Sequence, residues 1–336
     1  MKKILMWGFL SILVLAFSIP ALAAEKVITI RYTDQHPPKH FLAQLATRFA
    51  DTVNKRSGGR LKVVVYLSGQ LYQDREVIDA VRTNSVEIGN VNIGQWGGIY
   101  PLLNLIDYMP FEVDDALGYK LIDGKIGEVF REQMKKAGVM PLMWVPTALM
   151  DGVTNNKREL RVPDDFKGLL IRAPHPAGEY RLKAFGASPV VIPASDMFTA
   201  LQYGTVDGCW TALASVQSRK LYEIQKYLTV FSLGPNFHPT IMNLKSFQGL
   251  PKDLQEIVLQ SAMEIQRWGR QAVDREENDS LEKLKKEMKT FVLAGNNAKP
   301  FAEKLKSITE EYIKIAAPEG EKLVQTVYQI KREGAK

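Results

Sequence analysis

Few residues in this 336-residue chain have the chemistry of a reactive site. There are four histidines, His36, His40, His175 and His238, and one cysteine, Cys209. His36 and His40 stand four apart, the spacing at which two imidazoles on one helix face hold zinc. Pro37 and Pro38 lie between them and deny the continuous helix that this spacing requires. Cys209 has no histidine near it in sequence, and a lone cysteine beside an apolar strand reads as a small buried side chain. The chain holds no G-x-S-x-G elbow, no H-E-x-x-H pair, no P-loop and no G-x-G-x-x-G fingerprint. This inventory points away from an enzyme and predicts no catalytic residue, no cofactor and no metal.

One charge stands where charge is costly. Lys167 to Pro174 reads as a buried strand that ends at Arg172, with Pro174 breaking the ladder. A guanidinium at the mouth of a crevice is an always-ionised fork, suited to bidentate binding of a carboxylate or sulfonate. An internal ion pair would explain the same residue, and spacing alone does not separate the two.

The elements that must position Arg172 follow an α/β pattern. Val27 to Tyr32 is β-rich, and Phe41, Leu45, Phe49 and Val53 then recur every four positions, an amphipathic helix that stops at Gly58 and Gly59. Leu61 to Leu67 is the next strand, followed by a helix near Glu76 to Arg82 and a strand near Val86 to Ile93. Helices packed on a largely parallel sheet are expected. Glu76, Ala80, Val81, Asn84, Val86 and Glu87 are echoed, at the same spacing, by Asp196, Ala200, Leu201, Gly204, Val206 and Asp207. The echo predicts two lobes of similar build, each sending a strand end to a shared crevice, where open α/β sheets bind ligands. Beyond Pro251 the chain turns helical as far as Met288, long enough to brace both lobes, and a helical pair from Pro300 to Ile330 is interrupted near Pro318 and Gly320. No low-complexity linker occurs, so crossing strands are expected to join the lobes.

The chain opens with Lys2 and Lys3, an uncharged apolar run from Ile4 to Ile19, and small residues around Ala23, the build of a cleaved secretory signal peptide over residues 1–23. Cys209 lies far from that site, so lipidation there is excluded, and one thiol allows no internal disulfide. About 310 residues remain, enough for two lobes. Loss of Lys2 and Lys3 lowers the formal charge from +7 to about +5, and the excess is diluted by glutamates, as in Glu282, Lys283, Lys285, Lys286 and Glu287. This is a solvated helix face, with no nucleic-acid footprint.

Several stretches, weak singly, are specific in their order: Ser68-Gly69-Gln70-Leu71 with Asp74 and Glu76; Lys167 to Pro174; Phe185-Gly186-Ala187-Ser188-Pro189; Ala200-Leu201-Gln202 through Gly204, Val206, Asp207 and Gly208; Leu221-Tyr222-Glu223; and Leu250-Pro251. Over essentially its whole mature length the chain resembles the solute-binding receptors of tripartite ATP-independent periplasmic (TRAP) transporters. The resemblance implies a two-lobed periplasmic binding protein fold: lobe I from 24–149 plus 237–276, lobe II from 150–236 plus 277–336, joined by crossing strands and braced by the long helix. It implies that Arg172 pairs with the ligand's acidic group, and that Gln35, Asp74, Asn92, Trp96, Trp210, Thr211 and His238 fall on cleft positions. From the residues alone, Asp74 reads equally as a helix cap, Trp96 as core and His238 as a satisfied interior histidine. Two departures narrow the ligand. Gly152 stands where sialic acid receptors of this family carry a second arginine, and Trp210 where members that bridge a keto acid through a metal carry a carboxylate.

The implied function is that of a monomeric periplasmic receptor, which captures a small organic anion and passes it to the membrane subunits of a TRAP permease. A receptor for an ATP-driven importer, a sensory module and a secreted lyase or hydrolase on a similar fold are the alternatives.

Overall fold

The computed structural model describes residues 27–334, and the signal segment with its cleavage site lies outside them. The chain starts at β1 (Ile28–Thr33), whose Ile30 and Tyr32 alternate into the core. Helix Phe41–Arg56 follows, with the row Phe41, Leu45, Phe49 and Val53 buried on one face. It ends at Gly58 and Gly59, both at positive φ. Next come β2 (Leu61–Tyr66), helix Asp74–Arg82 and β3 (Ile88–Asn90). The third strand is shorter than its apolar run suggests, because the side chain of Asn92 accepts the N–H of Gly94 and turns the chain into the 3-10 helix Ile93–Gly98. Helices Asp115–Asp123 and Lys125–Lys136 lead to β4 (Val139–Ala148).

Only Leu149 and Met150 separate β4 from β5 (Asp151–Asn155), yet the two strands belong to different sheets. The second sheet adds β6 (Leu170–Ala173), β7 (Ser188–Val191), β8 (Gly208–Ala212) and β9 (Tyr227–Phe231) before the chain returns through β10 (Asn236–Asn243) to the first. The 36-residue helix Lys252–Glu287, about 54 Å long at 1.5 Å per residue, then carries it to β11 (Lys289–Val292) in the second sheet. The orders are β2-β1-β3-β10-β4 and β11-β9-β5-β8-β6-β7. Each sheet is parallel except at its crossing strand: β10 in the first and β5 in the second run antiparallel to both neighbours.

The sequence echo is realised atom for atom. Asn84 (φ 61°) and Gly204 (φ 68°) both take the left-handed conformation that asparagine and glycine tolerate. The N–H of Ser85 donates to Ala80 O at 2.8 Å and that of Thr205 to Ala200 O at 2.9 Å. Glu87 then accepts the N–H of Arg31 at 2.7 Å and Asp207 that of Leu170 at 2.9 Å, so each acid pins its turn to a neighbouring parallel strand.

The long helix covers the edge strand β4: Gln266 accepts the N–H of Trp144 at 2.7 Å, and Arg270 Nε donates to its carbonyl at 3.1 Å. Cys209, in β8, is fully buried and lies 3.3 Å from the hydroxyl of Thr154. The C-terminal segment forms three helices rather than two, Lys299–Leu305, Ile308–Ile315 and Gly320–Gly334. Its contacts are divided between the two sheets' surroundings. Phe301 packs on Phe166, Phe185 and Phe231 of the second lobe. The later two helices return to the first: Thr309 donates to Tyr108 O, Tyr312 to Leu102 O, and Lys331 pairs with Glu112 at 2.7 Å. The aromatic residues Phe301 and Tyr312, rather than any linker composition, decide where each turn of this segment docks.

Candidate functional site

Between the two sheets lies a small cavity of about 50 Å³. From the first lobe it is lined by Gln35 and His36 after β1, Asp74 at the start of its helix, Asn92 after β3, Thr147 in β4, and Asn236 and His238 in β10. From the second come Asp151 in β5, Arg172 at the end of β6, His175 and Arg181 around helix Pro176–Phe185, and Trp210 and Thr211 in β8. Of the residues singled out from sequence, Arg172, Asn92, Thr211, Trp210, Gln35, Asp74 and His238 are brought together here. Trp96 is not. It is fully buried in the core beside Tyr100, because the 3-10 helix after Asn92 carries its indole away from the cavity.

Arg172 is 3% exposed, and its polar contacts are neutral: Nε donates to Ile192 O at 2.7 Å and Nη1 to Trp210 O at 2.9 Å. No carboxylate of the described residues lies within ion-pair distance of it. Burial lowers its pKa to about 10, while the nearest acid in the cavity, Asp74, acts on it only at longer range. Two carbonyls thus aim a guanidinium whose charge the protein leaves unmatched, and the internal ion pair is not formed. Arg181, the second guanidinium of the cavity, is the reverse case. It lies 3.6 Å from Asp107 and 3.9 Å from Asp151, donates to Asp107 O, and stands over the Trp210 ring at 5.8 Å. Burial raises both aspartates, Asp107 to about 6, and Arg181 pulls both back down.

Asp74 is 5% exposed and held at about 6, chiefly by burial, against the hydrogen bond that Gln95 donates at 2.8 Å. The capping role that its sequence position suggested falls elsewhere: Glu76 accepts the N–H of Gln73, and Asp74 is free to face the cavity.

A rigid amide relay fixes His238. Its Nδ1 donates to Asn90 Oδ1 at 3.2 Å, its Nε2 accepts from Asn92 Nδ2 at 2.9 Å, and Asn90 in turn donates to Thr240. Burial first, then His36 and His175, holds its pKa well below the ordinary histidine value. His36, bonded to Asp34 at 2.7 Å, stacks on His40 at 4.2 Å, so the two histidines do share a place, as a stacked pair leading into a helix cap. Among the described residues no three or more His, Cys, Asp or Glu side chains are grouped to hold a metal. Trp210 stacks on Phe231 and Phe185, with centroids at 5.4 and 6.2 Å, as one wall of the second lobe's aromatic core. Gly152 lies in β5 with its α-carbon hydrogen toward Leu228 and Leu213, away from the cavity. A second guanidinium does line the cavity, that of Arg181, and no motif in the sequence marks it.

The lobes touch tightly at the cavity's edge. A β-carbon at Gly94 would lie 2.3 Å from the ring of His175, so the first lobe's turn seats directly on the second lobe's histidine.

A site between two mixed sheets, with an unmatched buried guanidinium at a strand end, defines a solute-binding protein that encloses an anion. The family model for bacterial extracellular solute-binding protein, family 7, matches residues 32–315, and the chain belongs to that family. It is similar to the 2,3-diketo-L-gulonate-binding periplasmic protein of Escherichia coli K12, with 26% identity over 94% of this chain and 95% of that one. Among solved structures it is similar to a TRAP periplasmic solute binding protein from Sulfurospirillum deleyianum with bound succinate, at 27% identity and a TM-score of 0.83, covering 90% and 99% of the two chains. It is also similar to the sugar acid binding protein of Advenella mimigardefordensis in complex with galactonate, at 25% identity and a TM-score of 0.83, covering 90% and 98%.

Proposed function

We propose that this protein is the extracytoplasmic receptor of a TRAP transporter, which closes over a small organic anion and delivers it to the membrane subunits. The observation that carries the reading is Arg172, buried, aimed by two carbonyls and unmatched by any carboxylate at ion-pair distance. A buried cation without a counter-ion is costly, and an incoming carboxylate or sulfonate relieves the cost while gaining two parallel hydrogen bonds. The matched family and the ligand-bound structures similar to this chain support the same reading. Removal of a signal peptide after Ala23 or Ala24, a monomeric state and return of the ligand unchanged belong to this proposal.

Calorimetric titration of the mature protein with a panel of small carboxylates and sulfonates tests it, with product analysis of each mixture. Binding without turnover, lost in Arg172→Ala, is the expected result. Turnover of a bound acid, or full binding by Arg172→Ala, refutes it. Mass spectrometry of exported protein that begins at Met1 refutes the processing.

A further inference from the structure

The cavity holds buried polar atoms that its own residues leave unsatisfied, two of them pure acceptors and one a hydroxyl. Asp74 Oδ1, Gln35 Oε1 and the hydroxyl of Thr147 are each buried and without a hydrogen-bond partner among the described residues, and all three residues line the cavity. They come from three separate segments of the first lobe, the connection after β1, the helix Asp74–Arg82 and β4, whereas Arg172 comes from the second. A buried acceptor left without a donor is destabilising, so the geometry favours a guest that supplies donors to one wall and negative charge to the other.

We propose that the ligand is a small hydroxy monocarboxylic acid, whose carboxylate pairs with Arg172 and whose hydroxyl groups donate to Asp74, Gln35 and Thr147. This rests on the receptor reading above. A second carboxylate is less well received: Arg181 already pairs with Asp107 and Asp151, with its Nε left without a partner among the described residues, and the opposite wall carries the acid Asp74. An ammonium would also donate, but three acceptors on separate segments suit hydroxyls on successive carbons better than one nitrogen. A buried ammonium also carries a heavier desolvation cost and would stand in the field of Arg172. Asp74, raised by burial, is a weak counter-ion and a good acceptor.

The test compares acids that differ in one group: glycerate, lactate and propionate in one series, malate and succinate in a second, with alanine beside lactate. Titration calorimetry is run on wild type, Asp74→Asn, Thr147→Val and Arg172→Ala, with thermal melting of each ligand-free variant as the folding control. Affinity is expected to fall at least about tenfold for each hydroxyl removed, roughly the loss when a buried polar group is left unpaired. Asp74→Asn and Thr147→Val are each expected to shrink that ratio, read within each variant as hydroxy acid against propionate, because Asp74→Asn also removes a charge that faces every anion in the cavity. Should Asp74→Asn fail to fold, Thr147→Val, a nearly isosteric change, carries the test alone. Equal binding of propionate and lactate, preference for succinate over glycerate, or tighter binding of alanine than of lactate overturns the inference and leaves the receptor reading standing. If no acid of either series binds, or if Arg172→Ala binds as wild type does, both fall.

Discussion

The carboxylate of Glu277, in the C-terminal third of the long helix, accepts the backbone N–H of Leu149 at 3.0 Å and, with its other oxygen, that of Met150 at 2.8 Å. Leu149 and Met150 are the whole of the connection between β4 and β5, so the brace holds the first crossing point by its main chain. Glu277 is 1% exposed, and burial raises its pKa to about 9, with Asp151 and Asp115 adding to the rise.

Glu277→Ala strands two buried N–H groups, and is expected to destabilise the ligand-free protein by about 2 to 5 kcal/mol. Chemical denaturation measures it. A pH signature separates titration from packing. A carboxyl raised in the folded state contributes fully below its unfolded value near 4.5, and that contribution is lost as pH rises toward 9. Wild type should therefore lose stability relative to Glu277→Gln between those limits. A constant difference across that range would show that Glu277 does not titrate with the fold.

Arg172→Ala is expected to weaken ligand binding about thirty- to several-thousand-fold, since the ligand's anion is left in a closed cavity without its partner. Arg172→Lys should recover part of the loss, because a point charge cannot reproduce the two-pronged contact. Titration calorimetry reads both variants. Thermal melting of the ligand-free variants should show folded protein, as the bonds lost run only to two carbonyls at the cavity wall.

Closure of the lobes is tested at Gly94. Since a β-carbon there would meet the His175 ring at 2.3 Å, Gly94→Ala should oppose the closed arrangement while leaving each lobe intact. Wild type should contract in solution scattering when ligand is added, as hinged binding proteins do. The variant should contract less and bind more weakly, by the factor that its closed population falls. Identical scattering from wild type with and without saturating ligand would remove the hinge from the mechanism.

His40, His175 and His238 are all held below the ordinary histidine range by burial, His175 to about 3. In the unfolded chain each takes up a proton near pH 6.5, so their contribution to stability is present above that value and lost as pH falls below it, by at most about 1.4 kcal/mol per pH unit for each. Asp74 and Asp107, raised to about 6, act in the opposite sense: their contribution is full below about 4 and lost as pH rises to 6. Imidazole resonances of the three histidines should stay at their neutral positions between pH 7.5 and 5.5. Protonation of His238 in that range would contradict the donor that Asn92 directs at its Nε2.

Arg172 was legible because an ion in an apolar strand has few reasons to be there, and the paired turns at Asn84 and Gly204 because backbone at positive φ selects its residues. The 36-residue helix announced itself by unbroken periodicity. The rest of the cavity was hidden for a physical reason. Thr147, Asp151 and Asn236 are ordinary residues of ordinary strands, and they become a wall only when the two sheets face each other. Nothing local to Arg181 reveals that Asp107 and Asp151 meet it. Trp96 is the reverse case: a large aromatic four residues past a cavity asparagine lies in the core once Ile93 begins a tight helix.

Cys209 is the chain's one thiol, sealed in β8 with its neighbour Trp210 in the cavity wall and its strand paired to that of Arg172. Burial raises its pKa and keeps reagents from it, so an alkylating probe labels it only when the second sheet opens. The molecule therefore carries an internal clock: labelling rate under native conditions reads the opening of the ligand-bearing lobe, and a ligand that ties the two lobes together should slow it.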